Sequence, residues 1–201
     1  MKTLPVRSSK KPLIVALLAA VAILGGAVAM RGRTPQASPQ APAEGTAQTP
    51  SPVAQELRVG LPFPDFSLTD VDGRTLTRAS LKDKPSIVWF TTSWCVPCQI
   101  GARKVAQTDN DLGGNAFAVL VVFVDPRETP DKLRAWRKNF ANEDWYVAFD
   151  DSLTQLAARV NLKFLDSKFL LDRNGVIKNI DFEIADEDYL DTIERIVKSG
   201  S

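Results

Sequence analysis

The chain has 201 residues, of which two are cysteine and none is histidine. The usual zinc quartets, Cys–His nucleophile pairs and histidine-bridged copper sites therefore cannot be assembled from this chain alone. The formal net charge is +1, and acidic and basic residues are interleaved, so neither a nucleic acid nor a cationic partner is indicated.

The first 30 residues form an export or anchoring signal. Residues 1–11 carry four basic side chains and residues 12–30 form an uncharged apolar run. About 20 apolar residues span a bilayer as a helix, and the basic excess before the run keeps residues 1–11 in the cytoplasm. We predict a membrane anchor over 12–30, with the rest of the chain on the extracytoplasmic side. The alternative is a signal peptide cleaved near Ala27-Val28-Ala29, which would make the protein periplasmic or secreted.

A linker and one domain follow. Residues 31–56 are rich in Pro, Ala and Gln and have almost no large apolar side chain, so they cannot form a core. Residues 57–201 have the length of one compact domain. We therefore predict a domain held at a distance from the membrane by an extended tether.

The domain begins with a predicted hairpin, in which residues 66–69 and 75–77 flank a turn at Asp72-Gly73. Two continuous apolar runs follow at 86–91 and 116–124, typical of parallel strands that are buried on both faces. A helix is predicted between these two runs.

Two further helices are predicted in the middle of the domain. Thr129 and Pro130 are typical of an N-cap and a first helical position, and Ser152 is typical of a second N-cap. Apolar residues recur at helical spacing in both segments. They are Leu133, Trp136 and Phe140 in the first and Leu153, Leu156, Ala157 and Val160 in the second.

The C-terminal part predicts a hairpin and a helix. Residues 168–172 and 176–182 flank Asn174-Gly175, a strong hairpin signal. The last helix has acidic residues in its first turn. Its expected buried stripe is Leu190, Ile193 and Val197. The whole pattern predicts an α/β fold, with a central mixed sheet flanked by helices and an N-terminal β-hairpin extension.

The two cysteines lie two residues apart, directly after the first apolar strand. Cys95 is expected at the start of the helix that begins near Val96, where free N–H groups and the helix dipole lower a thiol pKa. We predict that Cys95 attacks a substrate disulfide and that Cys98, one turn further, resolves the mixed disulfide. Pro97 fits the first turn because its missing N–H has no partner there. A plain structural disulfide or half of a metal site is the alternative.

The segment Ser93-Trp-Cys-Val-Pro-Cys98 resembles the active site of the thioredoxin superfamily, and residues 60–68 with their hairpin resemble the membrane-tethered TlpA/ResA branch. The resemblance extends from about Val59 to the C-terminus. It implies a thiol-disulfide oxidoreductase whose redox group is the Cys95–Cys98 pair, with no bound cofactor or metal. It also implies protein disulfide substrates, in cytochrome c maturation or copper-site assembly. Electrons would come from a membrane thiol carrier of the CcdA/DsbD type.

The chain departs from the family pattern at three positions. Asp166 takes the place of the usual cis-proline, Gly101 that of a ResA helix glutamate, and Trp89 that of the buried aspartate of thioredoxin. Both usual proton-handling acids are therefore missing. We hypothesise that Asp166 accepts the proton of Cys98, which requires a partly buried carboxylate with a raised pKa. A solvated loop aspartate is the alternative.

Trp94 is interpreted either as an exposed aromatic that guides partner docking or as a packing residue at the disulfide edge. Residues 125–130 resemble a stretch of the Sco copper proteins, so a copper chaperone that binds Cu(I) through two thiolates is a second candidate function. A thiol peroxidase is a third, because Thr92 precedes Cys95 by three residues, as in peroxiredoxins. The pair Val96-Pro97 resembles reducing members of the superfamily, and a reductase is the favoured prediction.

Overall fold

The structure is a computed structural model that describes residues 57–150 and 156–199. The predicted anchor, the predicted linker, Ser152 and Leu153 lie outside the described residues, and their assignments stay predictions. Within the described ranges, none of the helices has the length and apolar content that a membrane crossing requires.

The elements alternate between strands and helices. In chain order they are β1 Ser67–Thr69, β2 Thr75–Thr77, a 3-10 turn Arg78–Leu81, β3 Ser86–Thr91, α1 Val96–Asp111, β4 Ala118–Phe123, α2 Pro130–Phe140, β5 Tyr146–Phe149, α3 Leu156–Arg159, β6 Ser167–Leu171, β7 Ile177–Asp181 and α4 Glu187–Ser199.

The main sheet has five strands in the order β5-β4-β3-β6-β7. β3, β4 and β5 are parallel, whereas β6 and β7 run antiparallel to their neighbours. β1 and β2 form a separate antiparallel pair. These findings confirm the predicted α/β fold with a mixed sheet and an N-terminal hairpin.

Strand β5 was not predicted. It adds to the sheet edge beside β4, with Val147 opposite Val121. Its four residues come shortly after the polar segment 142–144. An apolar run of this length is too short for its hydrophobic periodicity to distinguish a strand from a helix. The β4 run is also shorter than the predicted 116–124, because pairing ends at Phe123.

Side chains that alternate along the strands build a core on each face of the sheet. In β3, Trp89 faces the layer of α1, α2 and α4, whereas Phe90 faces the hairpin and α3. Both side chains are fully buried, and burial of a large apolar side chain contributes about 1.5–3 kcal/mol. The predicted stripe of α4 is partly wrong. The buried residues are Tyr189, Ile193 and Ile196, with Leu190 and Val197 partly buried beside them.

The segment before and within the hairpin crosses one face and protects both edges of the sheet. The Phe63 N–H donates to the Gly175 carbonyl at 2.9 Å beside β7, and the Val71 N–H donates to the Val147 carbonyl at 2.9 Å in β5. Edge strands with unpaired backbone groups invite aggregation, so this cover also has a protective effect.

Candidate functional site

Helix α1 begins at the carboxyl end of β3, where the chain leaves the buried sheet. Cys95 is its N-cap residue, with extended backbone, and Pro97 lies in the first turn. The Cys95 N–H donates to the Thr92 carbonyl at 3.2 Å, and the Cys95 carbonyl accepts from the Gln99 N–H at 3.1 Å. The structure therefore places Cys95 and Pro97 where the sequence predicted, at the positive end of the helix dipole.

The two cysteines form a disulfide and differ in accessibility. Their Cα atoms are 5.3 Å apart. Cys95 is 8% exposed and lines an open groove, whereas Cys98 is 0% exposed. A substrate that enters the groove meets the sulfur of Cys95 first. This arrangement suits an attacking Cys95 and a resolving Cys98.

The groove beside Cys95 has a volume of 580 Å³ and an apolar wall with an acidic rim. Phe182 is 50% exposed and Ile184 is 42% exposed, which is unusual for side chains of this kind. The lining residues are Cys95, Pro97, Leu165, Asp166, Phe182, Glu183, Ile184 and Asp186. Such a surface fits a polypeptide segment better than a small polar molecule.

Asp166 lies directly before β6 and lines the same groove as Cys95. Its N–H donates to the Phe90 carbonyl at 3.0 Å, which fixes it against the end of β3. Its φ of 67° is left-handed, a conformation that aspartate adopts more easily than most residues. The described residues contain no cis peptide bond, so this loop turns without the isomer that a proline would supply.

The Asp166 carboxylate is buried. Oδ1 accepts from Trp89 Nε1 at 2.8 Å and lies 3.3 Å from Lys168 Nζ. Oδ2 has no hydrogen-bond partner among the described residues. Burial raises the pKa of the Asp166 carboxyl, and the charge of Lys168 and the bonds from Lys168 and Trp89 offset part of that rise. Asp166 is therefore no solvated loop aspartate.

The other two departures from the family pattern are linked in space. Trp89 is fully buried under helix α1. A Cβ placed on Gly101 would lie 3.3 Å from Cη2 of Trp89 and 3.4 Å from the backbone nitrogen of Ala185. The indole occupies the space that a longer residue at position 101 would need, so the glycine accommodates the tryptophan.

On the opposite side of the cysteines, Trp94 is 58% exposed and held by the loop after β4. Its Nε1 donates to Asp125 Oδ2 at 2.7 Å. Arg127 donates to both oxygens of Asp125, at 3.0 and 2.7 Å, and the Ser93 N–H donates to Glu128 Oε1 at 2.7 Å. The bonds from Arg127, followed by that from Trp94, lower the pKa of the Asp125 carboxyl. This loop, whose sequence resembles a stretch of the Sco copper proteins, thus orients Trp94.

Sequence reasoning missed Lys168, which was read only as a strand residue. Its side chain is 0% exposed and contacts both Asp166 and Asp181. The available signal was a lysine inside an apolar strand, since lysine is almost never fully buried unless it is paired. No group of three or more His, Cys, Asp or Glu side chains within the described ranges could hold a metal ion.

A sequence profile described as the AhpC/TSA family matches residues 59–180. The chain is 26% identical over 133 residues to the thiol:disulfide interchange protein DsbE of Pseudomonas fluorescens, covering 64% of this chain and 69% of that protein. It is 25% identical over 125 residues to the thiol-disulfide oxidoreductase ResA of Bacillus cereus, covering 61% and 69%. The soluble secreted antigen MPT53 of Mycobacterium tuberculosis is 29% identical over 98 residues, about half of each chain at 49% and 54%.

Solved structures agree on the fold. The thioredoxin domain of a thiol-disulfide oxidoreductase from Bacteroides vulgatus has a TM-score of 0.61 at 19% identity, covering 71% of this chain and 99% of that one. A DsbE protein from Chlorobium tepidum has a TM-score of 0.57 at 24% identity, covering 72% and 99%. The chain belongs to the AhpC/TSA family, in which it is a thioredoxin-like thiol-disulfide oxidoreductase similar to DsbE and ResA.

Proposed function

We propose that this oxidoreductase works outside the cytoplasm, tethered by residues 12–30, and reduces disulfides of partner proteins. The observation that carries the exchange reaction is the unequal exposure of the two cysteines, whereas the proposed location rests on the apolar run of residues 12–30 after four basic residues. Cys95 opens to the groove at the start of α1, whereas Cys98 is sealed behind it. The thiolate is the reactive form of cysteine, and the start of a helix favours it. A buried second thiol can reach only the sulfur of the first cysteine.

In the first step, the Cys95 thiolate attacks one sulfur of the substrate disulfide. A bond forms between Cys95 Sγ and that sulfur, and the substrate disulfide breaks. The other substrate sulfur leaves as a thiolate and takes a proton from water. The product is a mixed disulfide between Cys95 and the substrate.

In the second step, Cys98 gives its thiol proton to the Asp166 carboxylate, and the Cys98 thiolate attacks Cys95 Sγ. The Cys95–Cys98 bond forms as the bond to the substrate breaks, and the substrate leaves with a second thiolate. Two electrons have then passed from the cysteine pair to the substrate. The burial of Asp166 and its unpartnered Oδ2 support this role, because a neutral acid is tolerated there.

The proposed substrates are proteins whose cysteines must be reduced, such as apocytochrome c or copper-site assembly proteins. The exposed apolar side chains of Phe182, Ile184 and Trp94 around Cys95 support a polypeptide ligand. A membrane thiol carrier of the CcdA/DsbD type would reduce the pair again. The names of the relatives DsbE and ResA support disulfide exchange but identify no partner.

The test is the reduction potential of the full chain in detergent, obtained by equilibration with glutathione or dithiothreitol. Trp94 lies beside the pair, so tryptophan fluorescence is the readout. We expect a value near that of thioredoxin, about −270 mV, which drives reduction of partners. A value near that of DsbA, about −120 mV, would make the protein an oxidant instead.

Two variants check the order of attack. Cys98→Ser should accumulate a stable mixed disulfide with a disulfide-bonded protein such as insulin, because the resolving thiol is missing. Cys95→Ser should form none, because the remaining thiol is buried. Trapping by Cys95→Ser alone would reverse the assigned roles.

Location is tested with the same chain in cells. We expect the protein in the membrane fraction, with Cys95 accessible from outside to an impermeant thiol reagent after reduction. A soluble product that begins just after Ala29 would show that the signal is cleaved. Labelling only after cell lysis would place the domain in the cytoplasm and overturn the proposal.

The thiol peroxidase alternative has one observation in its favour. The hydroxyl of Thr92, three residues before Cys95, is buried and has no hydrogen-bond partner among the described residues. A peroxide-consumption assay with the reduced chain separates the two activities. Consumption faster than disulfide exchange, lost in Thr92→Val, would favour the peroxidase. A Cu(I) titration of the same sample tests the copper-chaperone alternative.

A further inference from the structure

Lys168 is a charged residue in β6, an interior strand of the sheet, and its side chain is completely enclosed. Nζ lies 2.8 Å from Asp181 Oδ1 and 3.3 Å from Asp166 Oδ1. It also donates to the Asp166 carbonyl at 2.8 Å and to the Glu183 carbonyl. A buried lysine with this many partners is held in one position, between the carboxylate of Asp166 before β6 and that of Asp181 in β7.

Two aromatic rings also lie close to the ammonium. Nζ lies 5.2 Å from the ring centroid of Trp89 and 5.4 Å from that of Tyr189 in α4. Burial raises the pKa of the Tyr189 hydroxyl well above its ordinary value, so it is neutral at physiological pH. Among the described residues, the carboxylates that form ion pairs with Lys168 are those of Asp166, before β6, and Asp181, in β7.

The three charged side chains form a row from the cysteine groove toward the edge of the sheet. Their exposed fractions are 8% for Asp166, 0% for Lys168 and 26% for Asp181. Lys168 and Asp181 are directly opposite each other in the antiparallel pair of β6 and β7. We define Asp166, Lys168 and Asp181 as the charge row.

Stability alone is a weak reason for such a row. Removing charges from water is costly, and well-packed apolar residues of similar volume are often as stabilising as a buried ion pair. The row ends at Asp166, which lines the groove with Cys95. Its position suits an effect on the chemistry of the cysteines.

We propose that Lys168 and Asp181 are positioning residues of the disulfide exchange, acting through Asp166. Lys168 favours the ionised Asp166 that can take the Cys98 proton, and Asp181 limits this effect by sharing the same ammonium. The proposal rests on the proposed function, in which Cys98 gives its proton to Asp166 and its electron pair to Cys95 Sγ. Lys168 itself neither gains nor loses a proton in this step.

The charge row predicts that two substitutions shift the pH dependence of resolution in opposite directions. Lys168→Met removes the cation that favours ionised Asp166, so the pH above which resolution becomes fast should rise. Asp181→Asn removes the competing carboxylate, which strengthens the effect of Lys168 on the Asp166 carboxylate, so the same pH should fall. A loss of packing alone would not shift this pH in opposite directions in the two variants.

The experiment measures the pH profile of single-turnover resolution in the full chain in detergent, starting from a preformed mixed disulfide with glutathione. A second readout is the carboxyl ¹³C titration of Asp166 in the oxidised protein, where the cysteines do not titrate. Lys178→Met is the matched control. Lys178 lies in β7, is 37% exposed and lies 3.8 Å from Asp172, outside the charge row.

We expect the pH at which resolution becomes fast and the pKa of the Asp166 carboxyl to rise in Lys168→Met and to fall in Asp181→Asn. Neither should change in Lys178→Met. If Lys168→Met fails to fold, the partly exposed Asp181→Asn decides the question by itself, with the downward shift required. Parallel shifts, or no shift, in a chain that exchanges normally would overturn this proposal alone. A wild-type chain without exchange activity would overturn the proposed function and this proposal together.

Discussion

Two aspartates flank the cysteine pair, and each accepts a hydrogen bond from an indole N–H. Trp94 donates to Asp125 at 2.7 Å, and Trp89 donates to Asp166 at 2.8 Å. Their pKa values nevertheless move in opposite directions, down for Asp125 and up for Asp166. A shared tryptophan partner therefore does not decide the ionisation of a carboxylate.

The difference lies in the other donors. The two carboxylates are similarly enclosed, with side chains 7% exposed for Asp125 and 8% for Asp166. Arg127, however, donates to both oxygens of Asp125. Asp166 is buried, shares Lys168 with Asp181 and leaves Oδ2 without a partner among the described residues. A carboxylate with several donors stays ionised, and one that is buried with few donors can change its charge. We infer that Asp125 orients Trp94 and that Asp166 handles protons.

The largest expected effect comes from Asp166→Asn, which keeps the size and an acceptor for Trp89 but cannot take a proton. Resolution of the mixed disulfide at neutral pH should slow by about 10²-fold, the lower range for loss of a general base. Attack by Cys95 should change far less. The measurement is stopped-flow fluorescence of both steps across pH. Asp125→Asn is the matched control, and an equal loss in both variants would contradict the division of roles.

The sequence predicted the positions of Cys95 and Asp166 better than it predicted the partners of the buried charge of Lys168. Asn174-Gly175 located Asp166 before β6, and the strand and helix signals around Cys95 were confirmed. The partner of Lys168 was not predictable because the pairing of β6 and β7 shifts by one residue at Leu170/Leu171. A regular continuation from the pair Leu171 and Ile177 would set Lys168 opposite Ile180. A shift of one residue moves the strand to the other face, and no local pattern announces it.

The contact between Trp94 and Asp125 was missed for a related reason. β3 and β4 are parallel, so their carboxyl ends bring residues 92–95 and 125–128 to the same edge of the sheet. The sequence indicated both strand ends. It did not show which side chain would reach across, because that depends on loop conformation.

A second and smaller effect is the pH dependence of stability in the oxidised protein. A raised pKa in the folded state contributes stability at acid pH that is lost as pH rises, so the stability of Asp166→Asn relative to wild type should increase as the pH rises above about 4, the unfolded-state pKa. A lowered pKa contributes stability above the unfolded value that is lost on acidification. The deficit of Asp125→Asn should therefore be present at neutral pH and shrink below about pH 4.

Urea unfolding of both variants at several pH values checks these trends. The free energy of unfolding relative to wild type should rise with pH in Asp166→Asn and fall with pH in Asp125→Asn. If the two variants follow parallel slopes, the two carboxylates have similar pKa values in the folded protein, and the comparison between them fails.

The smallest expected effect concerns Trp94, whose Nε1 bond to Asp125 lies at the surface. Trp94→Phe keeps an aromatic ring and loses this bond, and a net hydrogen bond of about 0.5–1.5 kcal/mol corresponds to a two- to tenfold change in rate. We expect slower attack by Cys95 on a protein disulfide, and an unchanged pH profile of the resolution step because Asp166 is untouched. The measurement compares second-order rates with insulin and with glutathione disulfide.

Trp94→Ala then separates docking from packing. An aromatic that guides docking contacts only a large partner, so its removal should slow the reaction with insulin and leave the reaction with glutathione disulfide nearly unchanged. A packing residue shields the disulfide from every reagent, and its removal would alter both rates by the same factor. The side chain is 58% exposed and stands outside the groove lining around Cys95, which favours docking. Equal factors for the two substrates would assign Trp94 to packing and leave Asp125 with a purely local role.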